Sequence, residues 1–328
     1  MANFSSVIIG CGRIGTFFDN PDSEYHFTHA KGYYLSEDVE LKGVFDINAD
    51  SARKAARLWT TESFTDLESM LSTVKPDIVS ICVPDKYHYE YLKHVAEFIP
   101  RAVIAEKPLT LKYEHSIEIY ELYKQKGILC NVNYIRRFDP YLQNLRKEYK
   151  KGKLGKLING YSIYGKGLLH NGCHIINFLS WLFGEIVDYR ILMGRVDNNK
   201  NDPSVDIWLQ TEEAESFHLL SADESKYTVF EIILFFEKLK VELLRGGITA
   251  FETVPSEDDL FPGYRDLITR REKKTFLDKT SEYLIQNTVD SLMGGTELIC
   301  PIKDVLETEK ICVDMIFSLD TKNGNTSN

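Results

Sequence analysis

The sequence predicts an α/β protein of two domains: a parallel sheet covered by helices, then an α/β domain with a large, open, mainly antiparallel sheet. Three observations carry this reading. Its 328 residues suit two domains of about 150 residues, each able to bury its own core. A glycine-rich turn, Gly10-Cys11-Gly12-Arg13-Ile14-Gly15, follows an apolar run and opens a helical one. Near residue 157 the hydrophobic rhythm also changes, from near-continuous apolar runs separated by amphipathic stretches to runs of alternating character.

In chain order, residues 6–10, 41–46, 77–84, 102–107 and 128–134 read as strands whose apolar runs suit a sheet covered on both faces. Helical spacing separates them at 13–18, 50–59, 65–73, 87–98 and 112–126. The basic segment 145–156, with two glycines, reads as a solvated connector between the halves. Beyond it, INGYSIYG, EIVDYRILMGRV, SVDIWLQT, SFHLLSAD, YTVFEIILFF and KLKVELLRGG alternate as antiparallel strands do. Helical spacing returns at 171–183, 279–293 and 302–318. The expected domains are therefore 1–135 and 136–318, with 319–328 as a polar, flexible tail.

Composition narrows the function. The formal charge of −10 disfavours nucleic acid. The richest apolar segment, 227–239, is broken by Glu231 and Glu237, so no membrane span is expected. The opening residues lack a basic stretch followed by an apolar one, and six scattered cysteines form no CxxC pair. A cytoplasmic protein with reduced, mostly buried thiols is expected.

The glycine turn has the strand-turn-helix context of a Rossmann dinucleotide site. Gly10 permits the tight turn, Gly12 lets the backbone approach a pyrophosphate, and Gly15 allows close helix-to-strand packing. Asp46 closes the second strand; a carboxylate there accepts from a ribose 2′-hydroxyl and repels a 2′-phosphate. Ile47 and Asn48 bring no positive charge, so NAD is expected over NADP. The glycine-to-Asp46 separation exceeds the usual ~20 residues, which an inserted loop at 18–28 accounts for.

Further landmarks follow in order: Pro84-Asp85-Lys86-Tyr87-His88, Glu106-Lys107-Pro108, Arg136-Arg137-Phe138, and His174 before Trp181-Leu182-Phe183-Gly184. Together with the glycine turn they resemble the glucose-fructose oxidoreductase, inositol dehydrogenase and MocA family, over about residues 5–318. The resemblance implies a Rossmann domain followed by a domain whose open sheet often forms the subunit interface, hence a homodimer or homotetramer. It implies that the Lys107-Pro108 region lies beside the nicotinamide, often with a cis peptide before the proline, that Lys107 is the active-site lysine, and that His174 is the catalytic histidine. The implied cofactor set is Gly10, Gly12, Arg13, Ile14, Gly15, Asp46, Pro84, His88 and Glu106. This chain departs from the family twice: His170 and Asn177 stand where aspartates are common.

Oxidising a secondary alcohol needs a hydride acceptor and a base within reach of the hydroxyl. NAD and His174 would fill those roles, while the Lys107 ammonium would stabilise the developing alkoxide or, if desolvated, serve as the base itself. On a continuous α-helix His170 and His174 would lie about 40° apart, on one face. His170 would orient the other ring or bind a substrate hydroxyl. Cys173 points about 100° away from His174, which argues against a zinc site. Lys166, Arg137 and Asn177 complete the candidate substrate contacts, Lys166 as partner for the diphosphate of a nucleotide sugar. Arg137 also reads as a tie between domains, Asn177 as a helix hydrogen-bonder, and His88 as a packed helix residue. The expected function is an NAD-dependent dehydrogenase of a sugar, cyclitol or nucleotide sugar. A non-catalytic NAD-binding sensor and a redox-neutral, NAD-recycling sugar enzyme are the other readings.

Overall fold

The computed structural model describes residues 3–324. The chain divides into two compact units, Met1–Phe138 with Asp278–Glu309, and Asp139–Leu277 with Lys310–Asn328.

The first unit carries a six-stranded parallel sheet in the order β3-β2-β1-β4-β5-β6. Its strands are β1 (Phe4–Ile9), β2 (Val39–Phe45), β3 (Glu62–Phe64), β4 (Ile78–Ile81), β5 (Ala102–Ala105) and β6 (Leu129–Val132). Every residue of β4 and β5 is buried, as helices on both faces require. Five strands follow the sequence expectation, but β3 does not. It is three residues long with two exposed, so it carries no apolar run to detect.

The helix expected at 13–18 is a single π turn, Arg13–Phe17. The inserted loop then departs and returns, closed by Asp19, whose carboxylate accepts the N–H groups of Phe27 and Thr28 at 2.6 and 2.9 Å. Thr28 caps α1 (His29–Leu35) by accepting from Lys31 N–H. The other helices of this unit are α2 (Ala49–Trp59), α3 (Leu67–Val74), α4 (His88–Ala96) and α5 (Tyr113–Lys126), with α8 (Thr280–Leu292) returning late in the chain. At Gly32 a Cβ would stand 2.7 Å from the Ser281 carbonyl, so a side chain there would push α1 off α8. Asn131 secures the return by donating to Asn287 at 2.9 Å and Thr288 at 3.1 Å.

The second unit is built on an eight-stranded sheet, ordered β16-β13-β12-β11-β7-β10-β9-β8. The strands are β7 (Leu157–Tyr164), β8 (Ile186–Asn199), β9 (Asp202–Thr211), β10 (Phe217–Ser221), β11 (Phe230–Phe236), β12 (Lys240–Leu244), β13 (Thr249–Thr253) and β16 (Arg270–Lys274). A two-stranded ribbon, β14 (Ser256–Glu257) with β15 (Arg265–Asp266), stands apart. Apart from the parallel β7–β10 pair, the eight-stranded sheet is antiparallel. Its helices are α6 (Pro140–Lys150) and α7 (Cys173–Phe183).

The basic segment 145–156 is not a free connector. Asp139 and Pro140 start α6, and Leu142, Leu145 and Tyr149 bury one helical face, so residues 145–150 finish that helix. Helix α9 (Leu306–Gly324) extends into the expected tail, and residues 325–328 of that tail lie outside the described residues. No helix among the described residues is long and apolar enough to cross a membrane.

Candidate active site

In the first unit the strand order reverses at β1, so the loops leaving the carboxyl ends of β1 and β4 flank a crevice. The three glycines there do three different things. Gly10 has φ of +100°, and a Cβ on it would stand 2.7 Å from the Cys82 carbonyl. A Cβ on Gly15 would lie 2.3 Å from the Gly10 oxygen, so close packing of the turn on the strand demands glycine. Gly12 is extended, and no described atom lies within 4 Å of where its Cβ would stand. Its backbone is therefore open to a ligand.

Asp46 leaves β2 at this turn. Its carboxylate accepts the Cys11 N–H and the Asn48 N–H, each at 2.8 Å. Burial and the Asp46 charge push the Cys11 thiol up to about 12. Two carboxylate oxygens with one N–H apiece retain acceptor capacity, so Asp46 suits a ribose diol. Arg13 and Ile14 follow on the π turn, with the Arg13 guanidinium 5.8 Å from the Phe18 ring centroid. Pro84 is exposed ahead of a short 3₁₀ turn, Asp85–Tyr87.

His88 does not stand open in this crevice. It is 2% exposed, and its ring reaches the Pro108 carbonyl at 2.6 Å and the Val83 carbonyl at 2.9 Å, tying the β4 loop to the β5 loop.

Glu106 and Lys107 follow β5, and the Lys107-Pro108 peptide is cis. Glu106 is buried. Its Oε1 meets His29 Nε2 at 3.0 Å and accepts from Asn133 at 2.6 Å. Burial pushes this carboxyl up, but His29, Asn133 and Lys107 outweigh it and hold the group below the usual carboxylate value. The other His29 nitrogen meets the Ser80 hydroxyl at 2.9 Å, which Tyr33 also contacts at 2.7 Å. Sequence reading missed this network because its members stand on four separate elements; a histidine heading α1 was the available signal. Arg137, at 2% exposure, donates to Asp304 at 3.0 Å within the same unit.

In the second unit, Lys166 and Gly167 both have positive φ, +72° and +93°. A Cβ on Gly167 would stand 2.2 Å from an Asp202 carboxylate oxygen. Asp202 accepts the N–H groups of Leu169 at 2.7 Å and His170 at 2.9 Å, fixing the turn Leu168–Gly172. That turn is π rather than α, so His170 and His174 do not share the continuous α-helix expected of them. His170 is exposed on the turn; half-buried His174 opens α7, edge-on to Phe230 at 6.4 Å. Asn177, at 1% exposure, follows one turn later. The Cys173 thiol points back to the Leu169 carbonyl at 2.9 Å. Asp202 escaped sequence reading because it looks like an ordinary turn acid ahead of Pro203. Thus the structure gathers the cofactor candidates and Lys107 in the first unit, and Lys166, His170, His174 and Asn177 in the second.

Residues 4–134 match the profile of an oxidoreductase family with an NAD-binding Rossmann fold. The chain is 32% identical over 152 residues to D-glucoside 3-dehydrogenase of Escherichia coli, covering 46% of this chain and 40% of that protein. It is 29% identical over 188 residues to scyllo-inositol 2-dehydrogenase (NAD(+)) of Bacillus subtilis, covering 56% and 50%. These alignments span about half the length of the curated relatives, or less. The structure of UDP-N-acetylglucosamine 3-dehydrogenase from Acidithiobacillus ferrooxidans superposes with a TM-score of 0.76 at 16% identity, over 96% of each chain, which shows the shared fold. The matched stretch holds the glycine turn, Asp46 and Glu106-Lys107-Pro108, so residues 4–134 are similar to the NAD-binding Rossmann domain of the glucose-fructose oxidoreductase, inositol dehydrogenase and MocA family.

Proposed function

We propose that the protein is an NAD-dependent oxidoreductase that transfers a hydride between nicotinamide and a secondary hydroxyl of a sugar, cyclitol or nucleotide sugar. The observation that carries this reading is the Asp46 carboxylate on the glycine turn, 2.8 Å from the Cys11 nitrogen. It offers acceptors to a ribose diol and repels a 2′-phosphate. The substrate class rests on the relatives, which act on a glucoside, an inositol and a nucleotide sugar.

Gly12, Asp46 and the loop after β4 would hold the dinucleotide, and the bound nicotinamide supplies the hydride-accepting carbon. His174 takes the proton from the substrate hydroxyl. The Lys107 ammonium stabilises the alkoxide that forms as the proton leaves. His170, exposed on its turn, contributes a hydrogen bond to a substrate hydroxyl, with Lys166 as partner for a diphosphate; Arg137 and Asn177 are buried and support the site from behind. Six buried cysteines, none of them in a disulfide among the described residues, suit the reducing cytoplasm, and the eight-stranded sheet suits a homodimer or homotetramer.

The test is a panel of sugars, cyclitols and nucleotide sugars with NAD, followed by the absorbance of reduced nicotinamide. With the substrate found, Lys107→Ala and His174→Ala each lower kcat about a thousandfold while NAD affinity stays within about threefold. Tight NAD binding with no reduced cofactor and no converted product across the whole panel would instead favour the sensor reading.

A further inference from the structure

The backbone that follows Lys107 is held by groups from outside its own loop. On the carbonyl side, His88 contacts the Pro108 oxygen at 2.6 Å. On the amide side, the Glu309 carboxylate accepts the Leu109 N–H and the Ser116 hydroxyl, with a further contribution from the Thr110 N–H. The Thr110 and Ser116 hydroxyls also meet each other at 2.7 Å. Glu309 stands near the start of α9, 2% exposed, and makes no salt bridge among the described residues.

A buried carboxylate with only neutral donors is an expensive way to satisfy two amides and a hydroxyl. Burial pushes Glu309 up to about 7 even against those donors, as expected where no cation offsets the charge. All its side-chain partners lie between residues 109 and 116, the segment running from the Lys107-Pro108 peptide into α5. None of the expected site residues includes it.

We propose that Glu309 is a positioning residue for Lys107, holding through the Leu109 and Thr110 amides and the Ser116 hydroxyl the backbone that carries the lysine. This rests on reading Lys107 as the active-site lysine. Its charge helps to keep the adjacent Glu106 carboxyl ionised, and slack in the following turn would free the lysine side chain.

The test is trace acylation of the full chain with acetic anhydride, with Lys107 read against exposed Lys54 by peptide mass spectrometry. Glu309→Ala raises the Lys107-to-Lys54 ratio about threefold. It also lowers kcat about tenfold, with the KM for NAD within about twofold. Glu309→Gln keeps an acceptor for Leu109 and a polar partner for Ser116, so both quantities stay near the wild-type values. An unchanged ratio in a cooperatively folding Glu309→Ala protein overturns the proposal. Should that variant fail to fold, Ser116→Ala carries the same test, with a smaller rise expected and an unchanged ratio again decisive against it. A raised ratio in a protein that converts no sugar leaves the clamp standing and removes only the dehydrogenase reading.

Discussion

In the proposed function, Asp46 is the side chain whose chemistry would select between cofactors. Its two oxygens already take the Cys11 and Asn48 amides, so the carboxylate is fixed before any ligand arrives. A hydrogen bond to a charged group contributes about 1.5–3 kcal/mol, which sets the scale of the effect. Asp46→Asn should therefore lower the NAD-over-NADP ratio of kcat/KM by about 10- to 100-fold; an unchanged ratio would remove Asp46 from the ribose site. Glu309 gives a pH prediction at the same scale. Burial raises its pKa from 4.5 to about 7, so between those values the folded protein holds this proton more tightly than the unfolded chain. The resulting stabilisation is fully present below the unfolded value and is lost as pH rises through about 7, by up to ~3 kcal/mol. Glu309→Gln does not titrate. Its unfolding free energy relative to wild type should rise steadily from pH 5 to 8 in urea titrations, and a flat difference would show that the carboxyl is not raised.

The glycine turn separates folding from binding within a single element. A Cβ at position 15 meets the Gly10 oxygen at 2.3 Å, whereas at position 12 it meets no described atom within 4 Å. Gly15→Ala should lower Tm by several degrees, in line with about 1–3 kcal/mol for overpacking. Gly12→Ala should leave Tm within about 1 °C yet weaken NAD about tenfold or more, since the added methyl would stand where the pyrophosphate approaches the protein backbone. Calorimetry with and without NAD distinguishes them; equal NAD affinity in Gly12→Ala would detach the turn from the cofactor. What was legible in the sequence follows the same logic of locality. Strands β1, β4 and β5 showed themselves because burial on both faces demands unbroken apolar runs, and the glycine turn because its three requirements fall within six residues. Strands β3 and β16 were illegible, the first being three residues long and mostly exposed, the second charged throughout. Helix α6 hid because its buried stripe is narrow among basic residues. Asp202, Glu309 and the His29-Glu106 network escaped for another reason. Their partners are 32 to 200 residues away in sequence, and no local pattern encodes such a pairing.

At the scale of the whole molecule, the chain leaves its first unit at Phe138 and comes back to it at Asp278, so the parallel-sheet unit is complete only once the antiparallel one has been made. Removing residues 278–309 would strip α8 from α1 and leave Asn131 without Asn287 and Thr288. In the eight-stranded sheet one row of paired residues crosses every strand: Arg190, Trp208, His218, Tyr161, Ile233, Glu242, Phe251 and Glu272, of which Ile233 is buried. Three of its members are aromatic, and Tyr161 near the middle is 38% exposed. Aromatic residues flanked by charge suit the centre and rim of a protein interface. In a twofold assembly each substitution acts twice, because the same patch serves both partners. In the proposed homo-oligomer joined through this face, Tyr161→Glu would place two carboxylates in the interface and should raise the dissociation constant about a hundredfold or more. Light scattering at micromolar concentration should then show the mass falling from a dimer or tetramer to the 37.8 kDa chain, while far-UV circular dichroism stays unchanged. A wild-type protein already at 37.8 kDa, or a Tyr161→Glu protein that keeps its full mass, would show that this face does not join the subunits.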